Sequence, residues 1–332
     1  MEFDSQPNLP PARGCWWQVG TAPIIGSRPL QIWSEILGDV DAMFIQLLIG
    51  AIMLGGIYGL LGLGYGIIYK TSGLLSFAQG ELLMIGAFLG YTFFKLFHMP
   101  FLVALLATVV IMFVFGFVFE KTIIRTILGG GGTPIHVVLA TIGISIALQN
   151  LAALIWTSEI KQFPPIFKVE YLEFGTVKVA PESISGIVVA LASMVLLHLF
   201  MNYTKIGTAM RAAAQDSNAA NVCGINVSFS KGLSWAISSA LAAISGIIIG
   251  PVYGVYMLMG ALIGLKGFAA AVIGGYGNMY GAILGGMIVG VIETMAAGYL
   301  SSSYKDFIAF FVFIVFLVIK PTGIFNEKII ES

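Results

Sequence analysis

Charge is scarce in this chain. Lys, Arg, Asp and Glu make up 10% of its 332 residues, where ordinary soluble domains carry about 25%. Formal net charge is zero and no basic patch stands out, which argues against a nucleic-acid partner. Cysteine is equally thin, with only Cys15 and Cys223. Two distant thiols give neither a disulfide framework nor a metal-binding spacing. The three histidines, His98, His136 and His198, stand singly at the ends of apolar runs and read as interfacial residues, not ligands. Missing too are Gly-x-Ser-x-Gly, His-Glu-x-x-His and a phosphate loop ending in Gly-Lys-Ser/Thr. The run Gly129 to Gly132, followed by Thr133-Pro134, lacks that ending and reads as a flexible turn. Nothing here supports an enzyme.

What is abundant is apolar surface. Hydrophobic residues form 58% of the chain, and mean hydropathy is +0.96. A water-soluble core cannot hide that much. The apolar runs are about 20 residues long and do not alternate in strand fashion, so the expected fold is an all-α polytopic membrane protein. The runs number about nine, with one or two broken or re-entrant. They start near Phe44, Ser76, Pro100, His136, Ile184, Lys231, Leu258, Gly277 and Asp306.

Residues 1–42 differ, with five prolines, Trp16-Trp17 and an acidic end. They read as a disordered extension with a short interfacial helix near Leu30 to Leu37. They carry no cationic start followed by an apolar core, so no signal peptide is recognised. Met43 is an alternative start. Residues 43–325 form the transmembrane domain and 326–332 a short tail.

Glycine is used at spacings that bring membrane helices together. Gly55 and Gly59 are one such pair; Gly277, Gly281 and Gly285 form a ladder. Ser76 and Gln79 read as a capping pair for the second span, with Glu81 in its first turn. Three charges lie within apolar runs and are therefore candidate functional residues: Glu81, Lys266 and Glu293. Lys266, between Gly264 and Gly267, marks a helix break, and spacing alone pairs none of the three. In the longest polar loop, 157–183, alternating residues from Val169 to Val179 suggest a small hairpin around Gly175.

One polar stretch interrupts the apolar runs: KIGTAMRAAAQDSNAANVCGINVSFSK, Lys205 to Lys231. Ala209 to Val222 reads as one short helix closed by Gly224. Arg211, Gln215, Asp216 and Asn218 give it a polar surface beside small apolar patches. Such a helix either touches a soluble partner or is a solvated connector. If this stretch is cytoplasmic, then Lys70, Lys121, Arg125, Lys205, Arg211, Lys231, Lys320 and Lys328 are all inside. The opposing short loops hold only Lys95 and Lys305. The positive-inside rule then predicts a cytoplasmic C-terminus and an external N-terminus.

Four blocks now carry a resemblance. They are GGIYGLLGLGYGIIYKTSGLLSFAQGELLMIGAF (Gly55 to Phe88), RAAAQDSNAANVCGIN (Arg211 to Asn226), GLKGFAAAVIGGYGNMYGAILGGMIVGVIE (Gly264 to Glu293) and YKDFIAFFVFIVFLVIKPTGIF (Tyr304 to Phe325). In this order they resemble the permease subunits of branched-chain amino-acid ABC importers, specifically the shorter of the two types in leucine/isoleucine/valine systems. Urea and short-amide importers share these blocks, and a self-sufficient channel or secondary carrier is the alternative of another class.

The resemblance implies a multi-pass protein of the prokaryotic plasma (inner) membrane. It also implies a second homologous permease, two cytoplasmic ATPase subunits that bind ATP-Mg, and an external substrate-binding protein. The chain itself would hold no cofactor. Arg211, Ala212, Ala214, Asp216, Ala219, Ala220, Gly224 and Ile225 would form the coupling helix that seats in an ATPase. Ser76, Gln79, Glu81 and Lys266 are candidates for the substrate pathway. Two departures from the family pattern stand out: the extension before Met43, and Cys223, where a larger aliphatic residue is expected.

Overall fold

The computed structural model describes residues 29–164, 166–167, 171–174 and 177–325, with side chains described from Met43 except at 173–174 and 177–178. Of the disordered extension expected over 1–42, residues 1–28 lie outside the described residues, as does the tail 326–332, whereas residues 29–42 are helical. The short helix expected near Leu30 to Leu37 falls within the first helix, α1 (Pro29–Ser72).

Twelve α-helices follow in order among the described residues. After α1 come α2 (Gln79–Tyr91), α3 (Phe101–Phe119), α4 (Arg125–Gly129), α5 (Pro134–Trp156) and α6 (Pro181–Tyr203). The second half holds α7 (Lys205–Gln215), α8 (Ser217–Val222), α9 (Val227–Tyr253), α10 (Met259–Gly274), α11 (Met279–Met295) and α12 (Lys305–Ile319). Widened π turns extend α2, α3 and α11 at their C-terminal ends, over Thr92–Leu96, Glu120–Ile124 and Ala296–Leu300. A two-stranded hairpin joins β1 (Leu172–Phe174) to β2 (Val177–Val179), with Leu172 opposite Val179. The hairpin was expected; its turn at 175–176 lies outside the described residues.

Among the described residues, six helices are long and apolar enough to cross a membrane: Met43–Ser72, Phe101–Gly129, Pro134–Trp156, Pro181–Tyr203, Val227–Tyr253 and Met279–Leu300. The three other expected runs are also helices, but shorter: α2, α10 and α12.

Lipid tails are as apolar as leucine, so helices in a bilayer associate through close packing and not through the hydrophobic effect. The sequence supplies small residues for it. α9 is the central post, packed against α2, α3 and α6, and its middle is buried from Gly232 to Gly250 apart from half-buried Ile237 and Ile244. Its buried serines do not break it, because Ser234, Ser239 and Ser245 each return a hydroxyl to the carbonyl one turn back. α1 meets α11 where Gly55 and Gly59 face Gly286 and Gly290. A Cβ on Gly55 would stand 2.8 Å from the Met287 backbone, and one on Gly286 would strike Gly59. Along the expected ladder, Gly281 lies on Gly274 and Gly285 on Ala270, which joins α11 to α10.

Three expectations need correction. The central polar stretch is two helices, not one, because Asp216 adopts an extended backbone (φ −152°, ψ 107°) between α7 and α8. Asp216 Oδ1 instead accepts hydrogen bonds from the Asn218 and Ala219 amides at 2.8 and 2.9 Å, starting a second helix. Ser76 and Gln79 do not form a cap: the N-cap of α2 is Ala78, without a side-chain hydrogen bond. Lys266 marks no break, since α10 runs continuously from Met259 to Gly274.

Candidate functional site

The chain breaks between α1 and α2 inside the bundle. Residues 74–78 are not helical, yet Leu74, Ser76 and Ala78 are buried. Gln79, first residue of α2, donates from Nε2 to the Ser238 carbonyl at 3.0 Å. Ser238 lies about 16 Å along α9 from its first residue, Val227. α2 therefore starts deep within the bundle, as a broken helix must when other protein satisfies its freed backbone. Gly73, at φ +67°, makes the turn out of α1.

This buried start places Glu81 where three helices meet. Glu81 as a whole is 1% exposed. Oε1 accepts from Gln149 Nε2 at 2.7 Å and Ser145 Oγ at 3.2 Å, both on α5. Oε2 has no hydrogen-bond partner and faces α10 at Gly260, where a Cβ would come within 2.7 Å of it. Glycine is required there because α2 and α10 cross backbone to backbone, Gly80 against Gly260 and Gly264. Beside the carboxylate lies a cavity of about 240 Å³ bounded by Tyr65, Phe77, Ile142, Ile146, Leu265 and Phe268, among others. Its rim is apolar and exposed at Ile142, Ile146, Ala261 and Leu265. Ser76 Oγ, Gln79 Oε1 and Ser238 Oγ are likewise buried without partners. Three of the four expected pathway residues thus share one buried segment.

The fourth does not. Lys266 Nζ pairs with Glu293 Oε1 at 2.7 Å and with Asp306 Oδ1 at 2.6 Å, joining α10 to α11 and α12. The Tyr58 hydroxyl donates to Glu293 Oε2 at 2.7 Å, tying in α1. The two intramembrane charges that spacing left unpaired neutralise each other here. Asp306 was a partner that sequence reasoning missed; its place in the first turn of a short terminal helix gave no hint of it.

α7 and α8 occupy one end of the bundle. Thr204 caps α7 through the Gly207 amide at 3.0 Å. Gly207, Met210 and Ala213 then turn inward at helical spacing. Ala213, Ala220 and Val227 form a small core with Ile225 against it. The outer face presents Arg211, Gln215, Asp216, Asn218, Ala219 and Asn221. Arg211 Nη1 donates to Asn202 Oδ1 at 3.1 Å, so it does not pair with Asp216. Val222 is 90% exposed. Gly224, at φ +82°, ends α8 as expected. Of the eight expected coupling residues, Ala220 is buried, Ala212, Ala214 and Ile225 are half-buried, and Arg211, Asp216, Ala219 and Gly224 are exposed.

The same end gathers cations. Lys70 reaches the Gly277 carbonyl at 3.3 Å, and Arg125 bonds Glu120 at 2.7 Å and the Ser228 carbonyl at 2.9 Å. Backbone amides of Ile324 and Phe325 close onto the end of α10. Among the described residues no group of His, Cys, Asp and Glu could hold a metal ion.

Comparison with known proteins places these features in a family. Residues 47–317 match the family model described as branched-chain amino acid transport system, permease component. The chain is similar to the high-affinity branched-chain amino acid transport system permease protein LivH of Salmonella typhimurium. The two are 32% identical over 303 residues, covering 87% of this chain and 97% of that one. LivH of Escherichia coli matches at the same identity and coverage. The corresponding permease BraD of Pseudomonas aeruginosa is 32% identical over 308 residues, 87% of this chain and 98% of its own.

Proposed function

The chain belongs to the permease-component family of branched-chain amino acid transport systems, and from that premise we propose how it works. It is a membrane permease subunit of an ABC importer for branched-chain amino acids. Partner ATPases supply the energy, since the sequence carries no phosphate loop ending in Gly-Lys-Ser/Thr.

The observation that carries the mechanism is the α7–α8 pair. It is anchored by an apolar inner face, yet it offers an outer face of small and polar side chains with Val222 fully in the open. Small residues let another protein approach closely, and Arg211, Asp216 and Asn218 provide charged and amide groups for orientation. We assign this face to a groove of a cytoplasmic ATPase that binds ATP-Mg. Two such ATPases, one under each permease, would push α7 and α8 as rigid levers. α7 packs on α6 and α9, so its displacement reaches the helix that holds Gln79 and the buried start of α2.

That assignment puts the α7 end in the cytoplasm of a prokaryotic plasma membrane, in keeping with the cations gathered there. The N-terminus is then external, as is the end opposite α7, where a substrate-binding protein would deliver its load. The lateral mouth of the Glu81 cavity is where we place the second permease. A buried carboxylate beside a mouth opening onto lipid would be costly, whereas one facing another protein is not. Ser76, Gln79 and Glu81 then line the path between the two permeases; Lys266 has a structural role behind it.

The test is uptake of labelled leucine and labelled urea into proteoliposomes holding this chain and its second permease, with and without ATPases and binding protein. Leucine uptake that requires ATP and all partners supports the reading. Leucine flux through the chain alone, indifferent to ATP, would replace it with a channel or carrier, and urea uptake would replace the solute.

A further inference from the structure

Glu81 is more than a carboxylate at the start of a helix. A structural role would be complete once its charge met its donors, and Ser145 and Gln149 serve only Oε1. Oε2 is buried, without a partner, and held against a cavity of about 240 Å³. Around that oxygen the cavity offers aliphatic and aromatic surface: Ile142, Ile146, Leu265 and Phe268. Such a site has one strong acceptor at its base and apolar walls above it. Drug-sized pockets run about 300–1,000 Å³, so this one suits a small metabolite.

We propose that this cavity is an intramembrane subsite for a branched-chain amino acid. Glu81 Oε2 accepts a hydrogen bond from the substrate's α-ammonium, and Ile142, Ile146, Leu265 and Phe268 hold its aliphatic side chain. The inference rests on the permease reading given above and adds the group that recognises the cargo. The substrate's ammonium pairs with the buried charge that the α5 donors only solvate, and charge-assisted bonds are the strong ones in a dry site. The single contact is also easily surrendered. A transport site must bind well enough to admit the solute and weakly enough to release it.

Glycine at 260 is what keeps the subsite open to Oε2. Any side chain there would meet the oxygen itself. The Tyr65 hydroxyl donates to the Gly264 carbonyl at 3.2 Å and so fixes the wall of α10 opposite Glu81.

The experiment uses the complete transporter in proteoliposomes, with a leucine analogue carrying a diazirine in its side chain as the probe. Wild type is first shown to take up leucine with ATP; failure at that step would overturn the permease reading itself, and this inference with it. Irradiation during uptake should then label Ile142, Ile146, Leu265 or Phe268, and excess leucine should abolish the label. Glu81→Gln keeps an oxygen for the Ser145 and Gln149 donors but loses the charge. It should reduce both labelling and uptake about tenfold, with ATP hydrolysis still stimulated by loaded binding protein. Ile146→Trp, which fills the cavity and leaves the charge alone, should also block uptake and labelling. Should Glu81→Gln fail to assemble, Ile146→Trp decides. The inference is overturned if a transporting wild type is labelled elsewhere, or if either variant transports and labels like wild type.

Discussion

Lys266 on α10 and Glu293 on α11 face each other at 2.7 Å, with side chains only 6% and 2% exposed. Charges so far from water are costly unless they are paired. The pair has company: Asp306 on α12 takes another proton of the same ammonium, and Tyr58 on α1 caps the free Glu293 oxygen. Four helices are thereby fixed to one another through polar contacts in a region where lipid gives no hydrophobic push.

Removing the cation should therefore cost more than removing its carboxylate partner. Lys266→Met leaves Glu293 buried with only Tyr58 and a distant Lys305 at 3.9 Å, a loss of about 3–5 kcal/mol. Glu293→Gln costs less, because Lys266 keeps Asp306. Thermal unfolding in detergent, followed by tryptophan fluorescence, should rank the two in that order. Equal midpoints would show that the pair is not what holds α10 to α11.

The glycine contact between α1 and α11 makes a sharp contrast with open glycines. Gly286→Leu would drive a side chain into the Gly55 and Gly59 backbone and should destabilise by at least about 1–3 kcal/mol. A Cβ on Gly143 meets nothing within 4 Å, so Gly143→Ala should not lower the unfolding midpoint. A Gly286→Leu protein that is as stable as wild type would mean that the two helices do not meet here.

Asp216 separates two effects that look alike in sequence. As the cap of α8 it can be replaced by Asn, but Ala should cost about 1 kcal/mol. Hydrogen exchange at the Asn218 and Ala219 amides should quicken in Asp216→Ala and not in Asp216→Asn. If Asn is as damaging as Ala to leucine uptake while exchange stays normal, the charge is read by a partner and the cap is incidental.

Val222 offers a test of docking that spares the fold. At 90% exposure it supports nothing within this chain. Val222→Asp should leave expression and melting unchanged while it lowers the yield of ATPase that co-purifies with the permease. Undiminished co-purification would move the docking face elsewhere.

Much of this was legible in the sequence. Apolar runs of bilayer length announced the helices, and the four-residue glycine spacings announced close helix packing without saying which helices meet. The polar break at 205–231 stood out because its neighbours are so apolar. What stayed hidden depends on which helices cross. Lys266 lies 27 residues from Glu293 and 40 from Asp306, and only the packing of α10, α11 and α12 brings them together. The donors to Glu81 are 64 and 68 residues away on α5. The split at Asp216 was missed for a local reason. Alanine-rich flanks favour one continuous helix, but an aspartate side chain that competes for backbone amides can start another. Gln79 misled in the opposite way: near Ser76 it resembled a cap, whereas its amide is spent on Ser238 across the bundle.

The central claim is that α7 and α8 are gripped by an ATPase, and Cys223 at the end of α8 can report it. The thiol is free and exposed. With Cys15→Ser, a membrane-impermeant maleimide can be applied to inside-out vesicles carrying the permease pair, alone or with its ATPases. Cys223 should label fast in the permease alone and be strongly protected once the ATPases bind. Equal labelling in both, with the ATPases present and active, would contradict that claim.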